Sequence, residues 1–463
     1  MGTRAAAVIG ICVHMVVCLA LTATSAAAGL QLRDNQFVDR GKPVFLRGAM
    51  YWQPHAFHHC FWEDMDPQMT ERDFAAMQAQ GFNLAAVQVN WGSFIPSVDV
   101  PARKYEWSRE AQDKLERLLD SAQRHGLYVD LWFGWSRAPA GVNAASNPQF
   151  TDLGGVKHGA YHGWLVADWP AIADYDTYAW QAFLRFHERV ARICRKYDNV
   201  IFDPLDWQHL NLNYWNFNDA LNLRSWRDFL RRENPDLDYW NKRWGEQNAS
   251  WDVVLFPVDD WARDSICRLD KTPYRGLPSL AYEKEKWQDF NRWHNPLFIR
   301  IVEGITAALR RGDPQALILQ RVDPWRYGYW REMTWGVGSV DFYAQGWYPS
   351  SQTELDEAGK HLKSEIDAIR TRAPRPKPIL LWEVGMDVFH VYPNTPEPER
   401  DKHRAQYVRA VEKFGREQQM LGWCWWVWRD HNMNEDSLHW GLVTQDGRFK
   451  SPEVAPSALA RGE

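Results

Sequence analysis

The sequence is poor in the features that mark metal, nucleotide or nucleic-acid proteins. It holds 6 cysteines in 463 residues. The four that lie beyond residue 28, Cys60, Cys194, Cys267 and Cys424, are far apart and show no paired metal-ligand spacing. One disulfide among them is open after export, but the sequence does not assign its pairing. The adjacent His58 and His59 point opposite ways on an extended chain and have no recurring partner, so no metal is expected. No glycine-rich phosphate loop follows the first predicted strand, which weighs against a doubly wound nucleotide-binding sheet. The formal net charge of −5 leaves no basic surface for nucleic acid. Beyond residue 28 no apolar run is long enough to span a bilayer. Linkers, internal repeats and a separate C-terminal module are also missing.

What is present starts with an export signal. Arg4 precedes an apolar stretch from Ala5 to Leu21, and Ala26-Ala27-Ala28 ends it with small residues. This pattern predicts a signal peptide over 1–28 and a secreted or periplasmic domain over 29–463. The domain is rich in tryptophan, 28 in the whole chain, and many stand beside polar residues, as in Trp207-Gln208-His209. Flat rings interleaved with polar groups suit the C–H faces of a sugar; the alternative is that they fill a large core. Asn248-Ala249-Ser250 fits a glycosylation sequon.

Short β-rich segments alternate with longer helical ones. Strands are predicted at Val44 to Gly48, Asn83 to Val89, Leu127 to Phe133, Val200 to Leu205, Ala316 to Gln320, Val340 to Gln345, Ile379 to Glu383 and Gly422 to Trp428. Helices are predicted between them, among them Thr70 to Gln80, Arg109 to His125, Asp174 to Tyr197, Lys286 to Arg311, Thr353 to Arg372 and Arg400 to Gln419. Eight such units in one domain predict a parallel sheet closed into a (β/α)₈ barrel. Asn211 to Leu280 is a long insertion after strand four, rich in Trp, Asn and Asp.

Barrels of this kind carry their chemistry at the C-terminal ends of strands. Glu383 stands out there, because it ends the almost wholly apolar Pro378-Ile379-Leu380-Leu381-Trp382. A carboxylate in that position is costly without a partner.

These residues resemble the retaining glycoside hydrolases of clan A. Gly41 to Gly48 looks like that clan's first strand, Gly81-Phe82-Asn83 with a strand ending at Trp91 like its second, and Pro378 to Gly385 like its seventh. Gly441-Leu442-Val443, Asp446-Gly447 and Lys450-Ser451-Pro452 resemble its closing motif. Trp240-Asn241-Lys242-Arg243-Trp244-Gly245 and Ser250-Trp251-Asp252 are similar to the insertion of family 42 β-galactosidases. Val200 to Leu205 looks more like family 5 endoglucanases and mannanases. The resemblance implies a β-glycosidase with Glu383 as nucleophile, Tyr348 hydrogen-bonding it and Trp426 flooring the sugar site. Trp135, Trp207, Gln208, His209 and Trp428 would line that site, with carbohydrate as the partner and no cofactor.

The sequence departs from the clan at two places. The acid/base glutamate at the end of strand four is missing, since the segment reads Asp206-Trp207-Gln208-His209. The strand-two arginine is missing too, its place falling near Ala86. Asp206, or another carboxylate such as Glu63, Asp64, Glu332 or Glu435, is left as the acid/base. A substrate that needs no acid, or a barrel that binds sugar without cutting it, are the alternatives.

Overall fold

The computed structural model describes residues 29–56, 60–134, 139–140, 178–204, 220–257, 284–322, 336–348, 352–386, 392, 395–430, 440–450 and 455. The predicted signal peptide lies outside them. Eight parallel strands close into a barrel: β1 (Leu46–Met50), β2 (Leu84–Asn90), β3 (Tyr128–Gly134), β4 (Val200–Asp203), β5 (Leu317–Val322), β6 (Phe342–Trp347), β7 (Ile379–Val384) and β8 (Gly422–Trp425). Each pairs with the next in sequence, and β8 pairs with β1. All residues of β2 and β7 are buried, as expected of strands covered on both faces. The fold is the expected (β/α)₈ barrel.

Most strand boundaries differ from the sequence reading by a residue or two, and two of them bear on the architecture. The first predicted strand is divided at Phe45: Lys42–Val44 belongs to a three-stranded antiparallel sheet with Leu30–Arg33 and Gln36–Asp39, and the barrel strand begins at Leu46. This small sheet covers the N-terminal end of the barrel, where Phe37 packs edge-on against Phe342 at 5.2 Å and Asp39 accepts from the Tyr128 hydroxyl. The eighth strand stops at Trp425, three residues early.

The outer helices are α1 (Pro67–Ala79), α2 (Arg109–Arg124), α3 (Tyr178–Cys194), α4 (Ala220–Glu233), α5 (Leu237–Trp244), α6 (Glu285–Gly312), α7 (Gln352–Arg372) and α8 (Glu397–Glu417). Their ends follow capping chemistry. Asp66 accepts from the Gln68 amide ahead of α1, and Ser108 from the Ala111 amide ahead of α2. Past their ends Gly81 and Gly126 hold φ of 87° and 64°.

A second hydrophobic cluster gathers Trp226 of α4, Trp240 of α5, Phe256, and Trp287, Phe290 and Trp293 of α6. From Phe298 onward the same helix α6 packs in the barrel's core through Ile301, Val302, Ile305 and Leu309. Pro296 stands where the helix passes from one core to the other. Among the described residues many tryptophans are structural: Trp62, Trp91, Trp226, Trp240, Trp287, Trp423 and Trp425 are all fully buried. Cys60, Cys194 and Cys424 are buried, and no disulfide joins any of these three to another. The Asn248 side-chain amide donates to Asn241 at 3.0 Å and Glu246 at 2.9 Å, a use that competes with glycosylation. Among the described residues no helix is long and apolar enough to cross a membrane.

Candidate active site

The site begins with a break in β7. Successive side chains of a strand point to opposite faces, so Trp382 and Glu383 should part company. The register of β7 shifts against β8 between Leu381 and Val384, and β6 shifts against β7 between Gln345 and Trp347. At the break Glu383 takes φ of 62°, in the left-handed region that a non-glycine residue seldom adopts. Such bulges re-aim side chains beside active sites. Here Trp382 and Glu383 both meet the Arg321 guanidinium of β5. Its centre lies 3.3 Å from the Trp382 ring centroid, and its Nη1 donates to Glu383 Oε2 at 3.4 Å.

Strand β6 separates β5 from β7, so this contact crosses the barrel's interior. Arg321 also donates from Nε to Asp203, the last residue of β4, and lies 4.9 Å from the Trp132 ring of β3. Trp382 reaches farther, donating from its indole nitrogen to Asp130 of β3. Burial pushes the Asp130 carboxyl up to about 7, against the lowering effects of the Trp382 hydrogen bond and the Arg321 charge. Asp130 and Asp203 have no solvent exposure, while Glu383 retains 9%.

Tyr348 follows β6 and hydrogen-bonds Glu383. Burial, and then the adjacent Glu383 charge, hold its phenol protonated far above its ordinary range. It is therefore a hydrogen-bond donor to the carboxylate. Its ring stands edge-on to Trp440 at 5.5 Å. Gly385 makes this arrangement possible: a Cβ there would come 2.8 Å from Tyr348 Cε1 and 3.1 Å from the Trp426 carbonyl oxygen. Trp426 is half-buried, with its ring 5.1 Å from that of Trp52.

The structure thus brings Glu383 and Tyr348 into contact, with Gly385 packed between Tyr348 and the Trp426 backbone. Trp428, also expected to line the site, is 1% exposed and packs 5.4 Å from Phe82 and 5.9 Å from Phe449. Trp135, Asp206, Trp207, Gln208, His209, Glu332, Glu435, His58 and His59 lie outside the described residues. Glu63 and Asp64 belong to the one-turn helix Phe61–Asp64 after β1.

Asp130, Asp203 and Arg321 did not emerge from sequence as site residues. Their signal was nonetheless present: each is a charged residue within an apolar strand, in Tyr128-Val129-Asp130-Leu131, Ile201-Phe202-Asp203 and Leu319-Gln320-Arg321-Val322. Burying such groups demands a partner.

No protein-family model and no curated protein matches the chain. Solved structures do. One is the exo-β-1,4-mannosidase Op5Man5 from Opitutaceae bacterium strain TAV5, at 16% identity and TM-score 0.55, covering 93% of this chain and 63% of that one. Another is a polyextremophilic β-galactosidase from the Antarctic haloarchaeon Halorubrum lacusprofundi, at 17% identity and TM-score 0.56, covering 89% and 57%. A third is the endo-1,4-β-mannanase from Rhizomucor miehei, at 11% identity and TM-score 0.51, covering 94% and 100%. The chain spans less than two thirds of the first two structures. What it shares with all three is the fold, a (β/α)₈ barrel.

Proposed function

We propose that this chain is an exported retaining β-glycoside hydrolase in which Glu383 is the nucleophile. The observation that carries the reading is the setting of Glu383. It ends β7 at a bulge, receives hydrogen bonds from Arg321 and Tyr348, and keeps some exposure while the carboxyls behind it have none. The fold neighbours include a β-mannosidase, a β-galactosidase and a β-mannanase. In retaining hydrolysis one carboxylate attacks the anomeric carbon and a second group, about 5–5.5 Å away, protonates the departing oxygen and then activates water. Asp206 is the proposed second group. Trp426 is the proposed floor of the sugar site, with Trp135, Trp207, Gln208 and His209 around it. Residues 1–28 are the proposed signal peptide.

The test uses 2,4-dinitrophenyl β-glycosides of a panel of sugars, whose leaving group departs without protonation. Release by the native chain that falls by about 10³-fold or more in Glu383→Gln supports the nucleophile. The same sugar on a poor leaving group then tests Asp206 through Asp206→Asn. A second reading, a barrel that binds sugar without cleaving it, draws on the burial of Asp130 and Asp203. These carboxyls cannot deliver a proton to a leaving group in the cleft. Calorimetric binding of an oligosaccharide by folded protein that releases no dinitrophenol from any sugar would favour it.

A further inference from the structure

Three carboxyl groups converge on one cation inside the barrel. Asp130, Asp203 and Glu383 come from β3, β4 and β7, and Arg321 from β5. Arg321 is 4% exposed, and its planar group is used on both edge and face. Nε donates to Asp203, Nη1 donates to Glu383, and the flat face lies on the Trp382 indole. A lysine ammonium has neither the fork nor the face to do all three.

We propose that Arg321 is the positioning residue for Glu383: anchored by Asp203 and stacked on Trp382, its guanidinium keeps the Glu383 carboxylate ionised and in one orientation. An opposite charge at this range favours the ionised form of a carboxyl. Asp203 takes the Nε edge, so Glu383 holds Nη1 at 3.4 Å, longer than a strong charge-assisted bond. The carboxylate is stabilised as an anion without being tied up. The catalytic consequence rests on the nucleophile reading above; the electrostatic assignment does not. It also gives Asp203, far too buried for substrate contact, a defined task as the anchor of the cation.

Among the described residues the titratable groups around Glu383 are few enough to separate. Arg321 and Tyr348 touch it, and Asp203 and Asp130 stand behind the guanidinium. Cys424 of β8 feels its charge, and Tyr407 of α8 acts on Tyr348. Burial holds both Tyr407 and Cys424 protonated well above their ordinary values, so neither changes charge near neutrality.

The experiment follows the Glu383 carboxyl by carbon NMR in the full chain labelled with carboxyl-¹³C glutamate, assigned through Glu383→Gln, across a pH series. The double variant Asp203→Asn/Arg321→Gln removes cation and anchor together, so Asp203 is not left as an unpaired buried charge and only Glu383 loses its counter-ion. In it the Glu383 titration midpoint rises by about one to three pH units. In Asp203→Asn, which keeps Arg321, it does not rise. An unmoved midpoint in the folded double variant overturns the assignment. Should the double variant fail to fold, Arg321→Lys serves. There the midpoint stays near the native one while kcat for dinitrophenyl glycosides falls about 10²-fold with KM unchanged, and native kcat overturns the positioning role. Where the chain is a hydrolase, the acid limb of kcat/KM moves with the midpoint. A midpoint that moves in a chain hydrolysing no glycoside sinks the hydrolase reading and leaves Arg321 standing. Hydrolysis with an unmoved midpoint does the reverse.

Discussion

In the insertion core, Asp289 accepts from Arg243 at 2.7 Å, from the Trp244 indole at 2.9 Å and from Arg292 at 3.4 Å, and Lys286 donates to Glu246 at 2.6 Å. Donors there match or outnumber the carboxylates. At the barrel's interior Asp130, Asp203 and Glu383 surround a single guanidinium among the described residues. Both regions are built from tryptophan. In the first, rings pack on rings, as Trp226 does with Trp244 at 6.1 Å and Trp293 at 5.8 Å. In the second, rings carry polar duties, with Trp382 stacking on the cation and donating to Asp130. A core assembled for stability satisfies its charges. A carboxyl excess held at a strand bulge is the arrangement expected where a protein keeps a group reactive.

The largest expected break in this contrast comes from removing Arg321. Arg321→Gln strands Asp203 as a buried charge and lowers unfolding stability by about 3–5 kcal/mol in urea titrations. Arg243→Gln costs less, because Asp289 keeps Arg292 and Trp244. Equal losses would erase the distinction between the two regions.

Trp226→Ala tests the structural use of tryptophan. Large aromatic-to-alanine truncation in a core costs about 3–5 kcal/mol. The expectation is that loss in stability, with sugar affinity by calorimetry unchanged. Lost affinity at native stability would return Trp226 to the sugar-binding role.

Gly385→Ala should cost about 1–3 kcal/mol of stability by overpacking and strike turnover. The added methyl meets Tyr348 Cε1, and displacing Tyr348 from Glu383 is expected to lower kcat for dinitrophenyl glycosides by about 10²-fold. Native kcat in this variant would show that Tyr348 can shift without effect.

The last effect lies at Asp130 and shows in the pH dependence of stability. Its carboxyl, pushed up to about 7, keeps a proton that the unfolded chain has already released above about pH 4. The native state thus binds more protons than the unfolded state between these values. Its contribution to stability falls as pH rises from about 4 to about 7, on the order of 1 kcal/mol per pH unit, and levels off above. Asp130→Asn removes that fall. Urea midpoints that decline with pH equally in both proteins would contradict it.

How far the fold was legible can be judged element by element. Helix α6 was bounded within one residue at each end, because a long amphipathic period with apolar residues facing two cores leaves little choice. The strands were legible as apolar runs, but their ends were not. Nothing local distinguishes Val44, paired antiparallel in the small sheet, from Leu46, paired in the barrel. Glu383 was legible as a charge that an apolar strand would not carry without cause. Arg321 was legible only as the end of a strand, because its partners come from 118 and 62 residues away.

The sequence by itself determined that eight apolar strands alternate with helices, and that a carboxylate ends the seventh. Those facts follow from local periodicity and from the cost of burying charge, which every segment carries with it. The tertiary structure decided which cation serves that carboxylate, which tryptophans are core and which way Glu383 faces. These depend on barrel closure, which sets β3, β4, β5 and β7 around one interior, and on a register shift in β7 that turns two neighbouring side chains toward the same guanidinium.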